Sequence, residues 1–317
     1  DLFNGLIQMD FSYYHKKTVD LVNSVTLPSS TGFTSYKDNI GEVVNKGFEV
    51  QLRSTLLNTK EWYVAVFANL AHNENEITKI SDSMKEYNRR VMDKYANYDT
   101  GYNKGDAAYA DTYLQYVEGG SLTSIFAVKS LGINPANGRE VFVRPDGTIT
   151  YDWNAADQVV VGNQEPKIQG TFGFNLRWKQ FSLFSTFLYE CGGQRYNSTL
   201  VDKVENARIA DGNVDRRVLT GRWQKPGDLA PYGRFTKGIV SVTRPTSRFV
   251  QDYNMLSFNS LTLGYDFDMA WMKKAHIGML RAELSGNDLF HLSTVRIERG
   301  LDYPYARSFS ASLKVSF

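Results

Sequence analysis

A single cysteine, Cys191, is all that 317 residues contain, so no internal disulfide framework holds this fold. Charge of one sign is equally scarce. The 36 Lys and Arg against 34 Asp and Glu leave a net charge of +2, which supplies neither the basic field of a nucleic-acid binder nor the acidic character of a solvating tail. Long apolar runs are missing too. The longest spans residues 62–68, whereas a membrane-crossing helix needs about 18 or more apolar residues in succession. Catalytic constellations are also absent. His15, His72, His276 and His291 have no partner at metal-ligand or triad spacing, and there is no phosphate-cradling glycine loop and no nucleophile elbow. Residues 99–106 place oxygen ligands alternately, as a calcium loop does, but lack its bidentate Glu; they read as a turn-rich loop. The expectation is a non-enzyme without cofactor or metal. The chain opens on Asp1 without a basic or apolar leader, so any signal peptide is expected to be removed already or to lie upstream.

What is present is alternation. The last nine residues, 309–317, alternate apolar and polar without a break and end on Phe317. Nine residues is about the length a tilted strand needs to cross a bilayer, and an outer-membrane barrel typically closes on such a strand. The mean hydropathy of −0.38 does not oppose this, because half of each spanning strand faces the lumen and stays polar. Counting alternation predicts seven more strands. Ile7, Met9, Phe11 and Tyr13 oppose Gln8, Asp10, Ser12 and Tyr14; Phe48, Val50 and Leu52 oppose Asn45, Glu49, Gln51 and Arg53. Residues 62–71 are apolar on both faces. Phe172, Phe174, Leu176 and Trp178 oppose Asn175 and Arg177; a strand over 181–190 follows, then one through Leu261, Leu263 and Tyr265. Leu280, Ala282 and Leu284 oppose Arg281 and Glu283 before the terminal strand with Lys314. The predicted class is all-β, a transmembrane antiparallel up-and-down barrel.

Connections alternate short and long. Turns at 58–61, 179–180 and 268–276 are short, whereas links at 16–40, 73–165, 192–250 and 291–303 are long. Short periplasmic turns with long extracellular loops have this asymmetry, and a soluble sandwich has no need of it. Trp62, Trp178 and Trp271 lie beside the short turns, level with Phe317, as a periplasmic aromatic girdle requires. The inward residues Gln8, Asp10, Asn45, Glu49, Gln51, Arg53, Asn175, Arg177, Arg281, Glu283 and Lys314 are candidates for the lumen wall. Residues 73–165 and 192–250 are expected to be large extracellular loops, the first a folded cap with a hairpin before Pro145-Asp146-Gly147. Their tyrosines (Tyr95, Tyr98, Tyr102, Tyr109, Tyr113) and arginines (Arg208, Arg216, Arg217, Arg222) are candidates for gripping a ligand or partner, with solvated loop surface as the alternative.

Motifs spread along the chain resemble the SusC/RagA family of TonB-dependent outer-membrane transporters of Bacteroidetes-type bacteria. They are Asn39-Ile40-Gly41-Glu42-Val43-Val44-Asn45-Lys46-Gly47-Phe48-Glu49, Asn73-Glu74-Asn75-Glu76-Ile77, Gly162-Asn163-Gln164-Glu165-Pro166-Lys167, and Arg222-Trp223 before Pro226-Gly227-Asp228. Leu261-Thr262-Leu263-Gly264-Tyr265, Gly286-Asn287-Asp288-Leu289-Phe290 and Tyr303-Pro304-Tyr305-Ala306-Arg307 complete the series. Phe258-Asn259-Ser260 departs from the family's usual basic residue and Asn, and Asp288 replaces an Asn. The resemblance implies a 22-strand barrel with an N-terminal plug, of which residues 1–317 are about the last eight strands; a complete eight-stranded barrel is the alternative. It further implies TonB-dependent import of an oligosaccharide or peptide, with a SusD-like surface lipoprotein as lid and TonB-ExbB-ExbD acting through an N-terminal region. Outer-membrane lipid and lipopolysaccharide would surround the barrel, and nucleic acid would not be a partner. A structural SusC-like subunit of a larger assembly and a passive porin are the other readings.

Overall fold

A computed structural model describes residues 6–26, 35–39, 41–100, 105–209, 212–235, 241–296 and 306–317. Strand β1 (Ile7–Thr18) is followed by a small hairpin of β2 (Val22–Thr26) and β3 (Ser35–Asn39), then by the long β4 (Gly41–Asn58) and β5 (Trp62–Ile80). Helix α1 (Asp82–Ala96) opens the first insertion, whose sheet comprises β6 (Ser124–Ile133), β7 (Glu140–Val143), β8 (Ile149–Thr150) and β9 (Gln158–Asn163). β10 (Ile168–Trp178) and β11 (Phe181–Tyr196) come next; after a second insertion, β12 (Val250–Asp266), β13 (Met279–Ser293) and β14 (Ser308–Ser316) finish the chain.

Eight strands form one antiparallel sheet in the order β1-β4-β5-β10-β11-β12-β13-β14. All eight strands expected from alternation are there. β1 and β14 are its edges and do not pair with each other, so the sheet is an open arc and not a closed eight-stranded barrel. Six strands are longer than a bilayer requires: β5 has 19 residues, β4 18, β12 17, β11 16, β13 15 and β1 12, against about 9–11 to span. The surplus lies at the long-connection end. There β5 continues through His72, Asn73, Glu74 and Asn75, which are polar on both faces, and so the alternation of apolar with polar residues fades where the pairing does not.

Register puts apolar side chains together on one face, since successive side chains alternate across a strand. Phe11 stacks on Phe48 at 6.3 Å. Beside the short turns, Trp62 stacks on Trp178 (5.6 Å), Trp178 on Phe181 (6.1 Å), and Phe181 meets Tyr265 (4.7 Å). A second band joins Phe172, Phe187, Phe258 and Phe290 at 5.0, 4.4 and 5.5 Å between successive rings. Phe187 lies six residues beyond Phe181 on β11, so the bands are roughly 20 Å apart along the strand. Trp271 sits on a short helix, Ala270–Lys274, in the β12–β13 turn, and its indole N–H points at Met269 Sδ (3.1 Å).

β5 is apolar on both faces for a specific reason. Phe67 points to the polar face, where it stacks on Phe184 at 5.9 Å. A Cβ at Gly173 would lie 2.6 Å from the Phe67 ring, so glycine there makes room for the stack.

The two largest buried clusters are in the insertions. One cluster gathers Val91, Tyr95, Tyr98, Tyr109, Val128, Phe142 and Trp153; another gathers Ala110, Leu200, Val201, Val204, Val218, Tyr232 and Phe249. The two insertions lock together, because Trp153 Nε1 donates to the Pro245 carbonyl (2.9 Å) and Tyr98 Oη to that of Val242 (3.0 Å). α1 starts where Ser81 Oγ accepts the Met84 N–H (3.2 Å) and carries Asp82 in its first turn and Lys94 in its last, both suited to the helix dipole. It buries Met84, Val91 and Tyr95.

Candidate functional site

The polar face of the sheet brings the inward candidates into pairs. Gln8 opposes Arg53, Asp10 opposes Gln51, and Ser12 opposes Glu49 across β1 and β4. Higher on the same face, Asn75 Nδ2 donates to Asn45 Oδ1 (2.8 Å) and Tyr14 Oη donates to Asn73 Oδ1 (2.8 Å). Asn73 Nδ2 also donates to Glu165, and Asn75 Oδ1 accepts the Leu122 N–H (2.9 Å), which ties the strand ends to the cap. The motif Asn45-Lys46-Gly47-Phe48-Glu49 now has a physical reading. Asn45 joins the inner amide ladder, Lys46 reaches outward to Glu74 at 3.1 Å, and Phe48 supplies the outward ring. Gly47 lies opposite Tyr14, and a Cβ there would stand 2.6 Å from the Tyr14 hydroxyl and 2.2 Å from the His72 carbonyl oxygen.

A second cluster forms near the short turns, with Arg281 as its hub. Arg281 Nη1 donates to both carboxylate oxygens of Asp266 (3.0 and 2.9 Å), Nε to Glu283 Oε1 (2.8 Å) and Nη2 to Ser182 Oγ (2.8 Å). Lys314 Nζ reaches the other Glu283 oxygen at 2.6 Å. Arg281, Glu283 and Lys314 are therefore one network, to which Asp266 and Ser182 belong as well. The sequence does signal Asp266, two residues beyond Gly264 on the same face. Gly264 of Leu-Thr-Leu-Gly-Tyr is needed where it is, since a Cβ would lie 2.5 Å from both Arg281 Nη2 and Ser182 Oγ. Two acids balance two bases, so this wall offers fixed hydrogen-bonding groups and little net charge. Asn175 lies opposite Phe184, and Arg177 lies opposite Ser182 at the margin of this network, its guanidinium 5.9 Å from the Tyr63 ring.

The loop candidates divide. Tyr95, Tyr98 and Tyr109 are buried in the cap core and are not exposed platforms. Tyr95 Oη donates to the Asp111 carbonyl (2.5 Å), and burial, with Tyr113 adding, pushes its phenol well above the usual value. Tyr113 is half-buried, its hydroxyl donating to the Ala108 carbonyl (2.9 Å) and accepting from Lys94. Tyr102 and residues 303–305 lie outside the described residues. Arg222 is likewise structural. It is buried, and its guanidinium is taken up by the carbonyls of Val204 (2.7 Å), Glu205 (2.9 Å) and Gly233 (3.0 Å). Burial lowers its pKa, with Glu205 opposing. Arg217 holds Asp215 at 2.8 Å and keeps that carboxyl well below its usual range. Arg208 donates to the Gly105 carbonyl (3.1 Å), and Arg216 is exposed. Residue type and loop location identify none of these differences, because exposure in an irregular segment follows no period. Among the described residues no group of three or more His, Cys, Asp or Glu could hold a metal ion, and no helix is long and apolar enough to cross a membrane.

No protein-family model matches the chain. Curated relatives do. TonB-dependent receptor P3 of Formosa agariphila is 25% identical over 340 residues, covering 100% of this chain and 33% of the relative. TonB-dependent receptor SusC of Bacteroides thetaiotaomicron is 22% identical over 329 residues, covering 99% of the chain and 30% of the relative. The chain is similar along its whole length to TonB-dependent receptors of the SusC type. Its fold agrees. The RagAB peptide transporter superposes with a TM-score of 0.74 at 20% identity, covering 99% of this chain and 34% of that one. The RagAB peptide importer in its closed-closed state superposes at 0.71 with 21% identity and the same coverage. The chain thus spans about a third of the length of the curated relatives it matches.

Proposed function

We propose that this arc is part of the wall of an outer-membrane importer for a large solute, a peptide or an oligosaccharide, worked through TonB and covered by a SusD-like surface lipoprotein. The observation that carries the membrane placement is the exposed apolar face. Phe309, Leu313 and Phe317 are 68, 64 and 89% exposed, and an apolar surface of this extent marks an interaction site or a membrane contact. Bands of rings at two levels and polar side chains on the opposite face fit lipid outside and a wet lumen inside. The cap built from the two insertions then lies on the extracellular side, and the Arg281 network lies near the periplasm, where a plug would meet the wall. RagAB is a peptide transporter and the receptor relatives are TonB-dependent, which supports import over passive diffusion.

The test is uptake of labelled oligopeptides and labelled oligosaccharides by cells with and without the gene, each with TonB intact and deleted. Loss of uptake in both deletions is expected. Unchanged uptake alongside collapse of another envelope complex would favour a scaffolding subunit, and uptake independent of TonB would favour a porin.

A further inference from the structure

A cavity of about 470 Å³ opens between the cap and the polar face of β11, lined by Asp111, Thr112, Tyr113, Gln164, Arg195, Tyr196 and Ser198. The volume is within the range of ligand sites, about 300–1,000 Å³, and three separate chain segments converge on it. Two charges of opposite sign face it. The Arg195 guanidinium is stacked on the Tyr253 ring, 3.5 Å from its centroid, and its side chain remains 41% exposed. Glu190 forms an ion pair with it at 3.7 Å, a separation too long for a hydrogen bond. A guanidinium held flat by an aromatic ring with donors to spare is a preorganised receptor for a carboxylate. The Asp111 side chain accepts no hydrogen bond from any described residue. Its pKa is raised by desolvation and by the neighbouring Asp202, against the pull of Lys94, so a cationic group placed beside it would be favoured.

The two aromatic rings that line the cavity are already engaged. Lys94 Nζ covers the Tyr113 ring at 3.8 Å, and Tyr95 meets that ring edge-on at 5.7 Å. Tyr196 packs edge-on to Phe249 and donates its hydroxyl to the Ala110 carbonyl (2.9 Å). Tyr95, Tyr98 and Tyr109 are in the core. A neutral glycan bound here would bring no counter-charge to the Asp111 carboxylate.

We infer that this cavity is a substrate subsite for a charged oligopeptide segment, with Arg195 receiving a carboxylate and Asp111 an ammonium or guanidinium group. The inference rests on the import reading and narrows it to peptides. The test uses the full-length transporter purified with its lipoprotein partner. Equilibrium binding is measured for octapeptides carrying Lys and Glu, for the same peptides with termini capped and both side chains replaced by Gln, and for a neutral glucan heptasaccharide. The charged set should bind at least about tenfold more tightly than either of the others. Arg195→Gln should weaken acidic peptides and Asp111→Asn basic ones by about ten- to a hundredfold each, the scale of a lost charge-assisted hydrogen bond, and Arg195→Lys should recover part of the loss. Variants that bind like the parent protein, or a preference for the glucan, would overturn the inference. If the glucan is imported with TonB, the import reading survives and the peptide assignment fails; if neither class is imported, both fail.

Discussion

Arg248→Met should loosen the cap by about 3–5 kcal/mol, the cost of leaving buried carboxylates without their partner. Arg248 Nη2 donates to Glu140 Oε2 (2.9 Å) and to Glu205 Oε1 (2.8 Å), and Nη1 donates to the Pro231 carbonyl (2.6 Å). The three side chains are only 11, 9 and 6% exposed. Burial alone would lower the guanidinium's pKa, but Glu205 and Glu140 hold it above the usual arginine range. One cation therefore serves two acids, one from β7 of the first insertion and one from the second, so the contact joins segments far apart in sequence. The second oxygens, Glu140 Oε1 and Glu205 Oε2, are buried without a hydrogen-bond partner, which leaves this network little tolerance for losing its cation. Hydrogen exchange across residues 124–163 and 197–209 should rise in the variant, while the wall strands of the same molecule serve as reference. Glu140→Gln leaves one acid for one base and should cost clearly less. Unchanged protection in Arg248→Met would contradict the role given to this triad.

Leu263→Arg should cost about 1–3 kcal/mol of folding stability in a bilayer, and Thr262→Arg, one residue away, much less. Leu263 lies between Leu183 and Leu284 on the apolar face, whereas Thr262 lies between Phe184 and Ser285 on the polar one. Along β12 it falls between the Tyr265 ring near the short turn, about 7 Å away, and the Phe258 ring of the second band, which places it within the apolar belt on the short-turn side. Urea titration of the full-length protein refolded into phospholipid vesicles reads both penalties. Equal costs at the two positions would mean that the faces had been assigned wrongly.

The wall was legible because a strand with lipid on one side and water on the other must alternate, and such strands as Phe309 to Ser316 do so without interruption. The motifs carried more than family likeness, since Gly47 and Gly264 each stand where a Cβ would strike a named side chain on the polar face. The outer half of β5 was invisible to alternation because His72, Asn73, Glu74 and Asn75 are polar on both faces. The cap was legible as a folded insertion and in its hairpin at 145–147, but not in which side chains it buries. Tyr95 and Arg222 are residue types that a ligand site and a cap core both use, and only the tertiary fold decides between them. Asp111 and Arg195 meet across a cavity built from distant segments, a juxtaposition that no local pattern encodes.

Everything said of function depends on the apolar face being turned to lipid. A cysteine scan of β14 in a Cys191→Ser background, on full-length protein in vesicles, tests this directly. Labels at 309, 311, 313 and 315 should be quenched by spin-labelled lipid chains, and cysteines at 310, 312, 314 and 316 should instead react with a water-soluble maleimide. Uniform reactivity along the strand, or the opposite phase, would contradict the account.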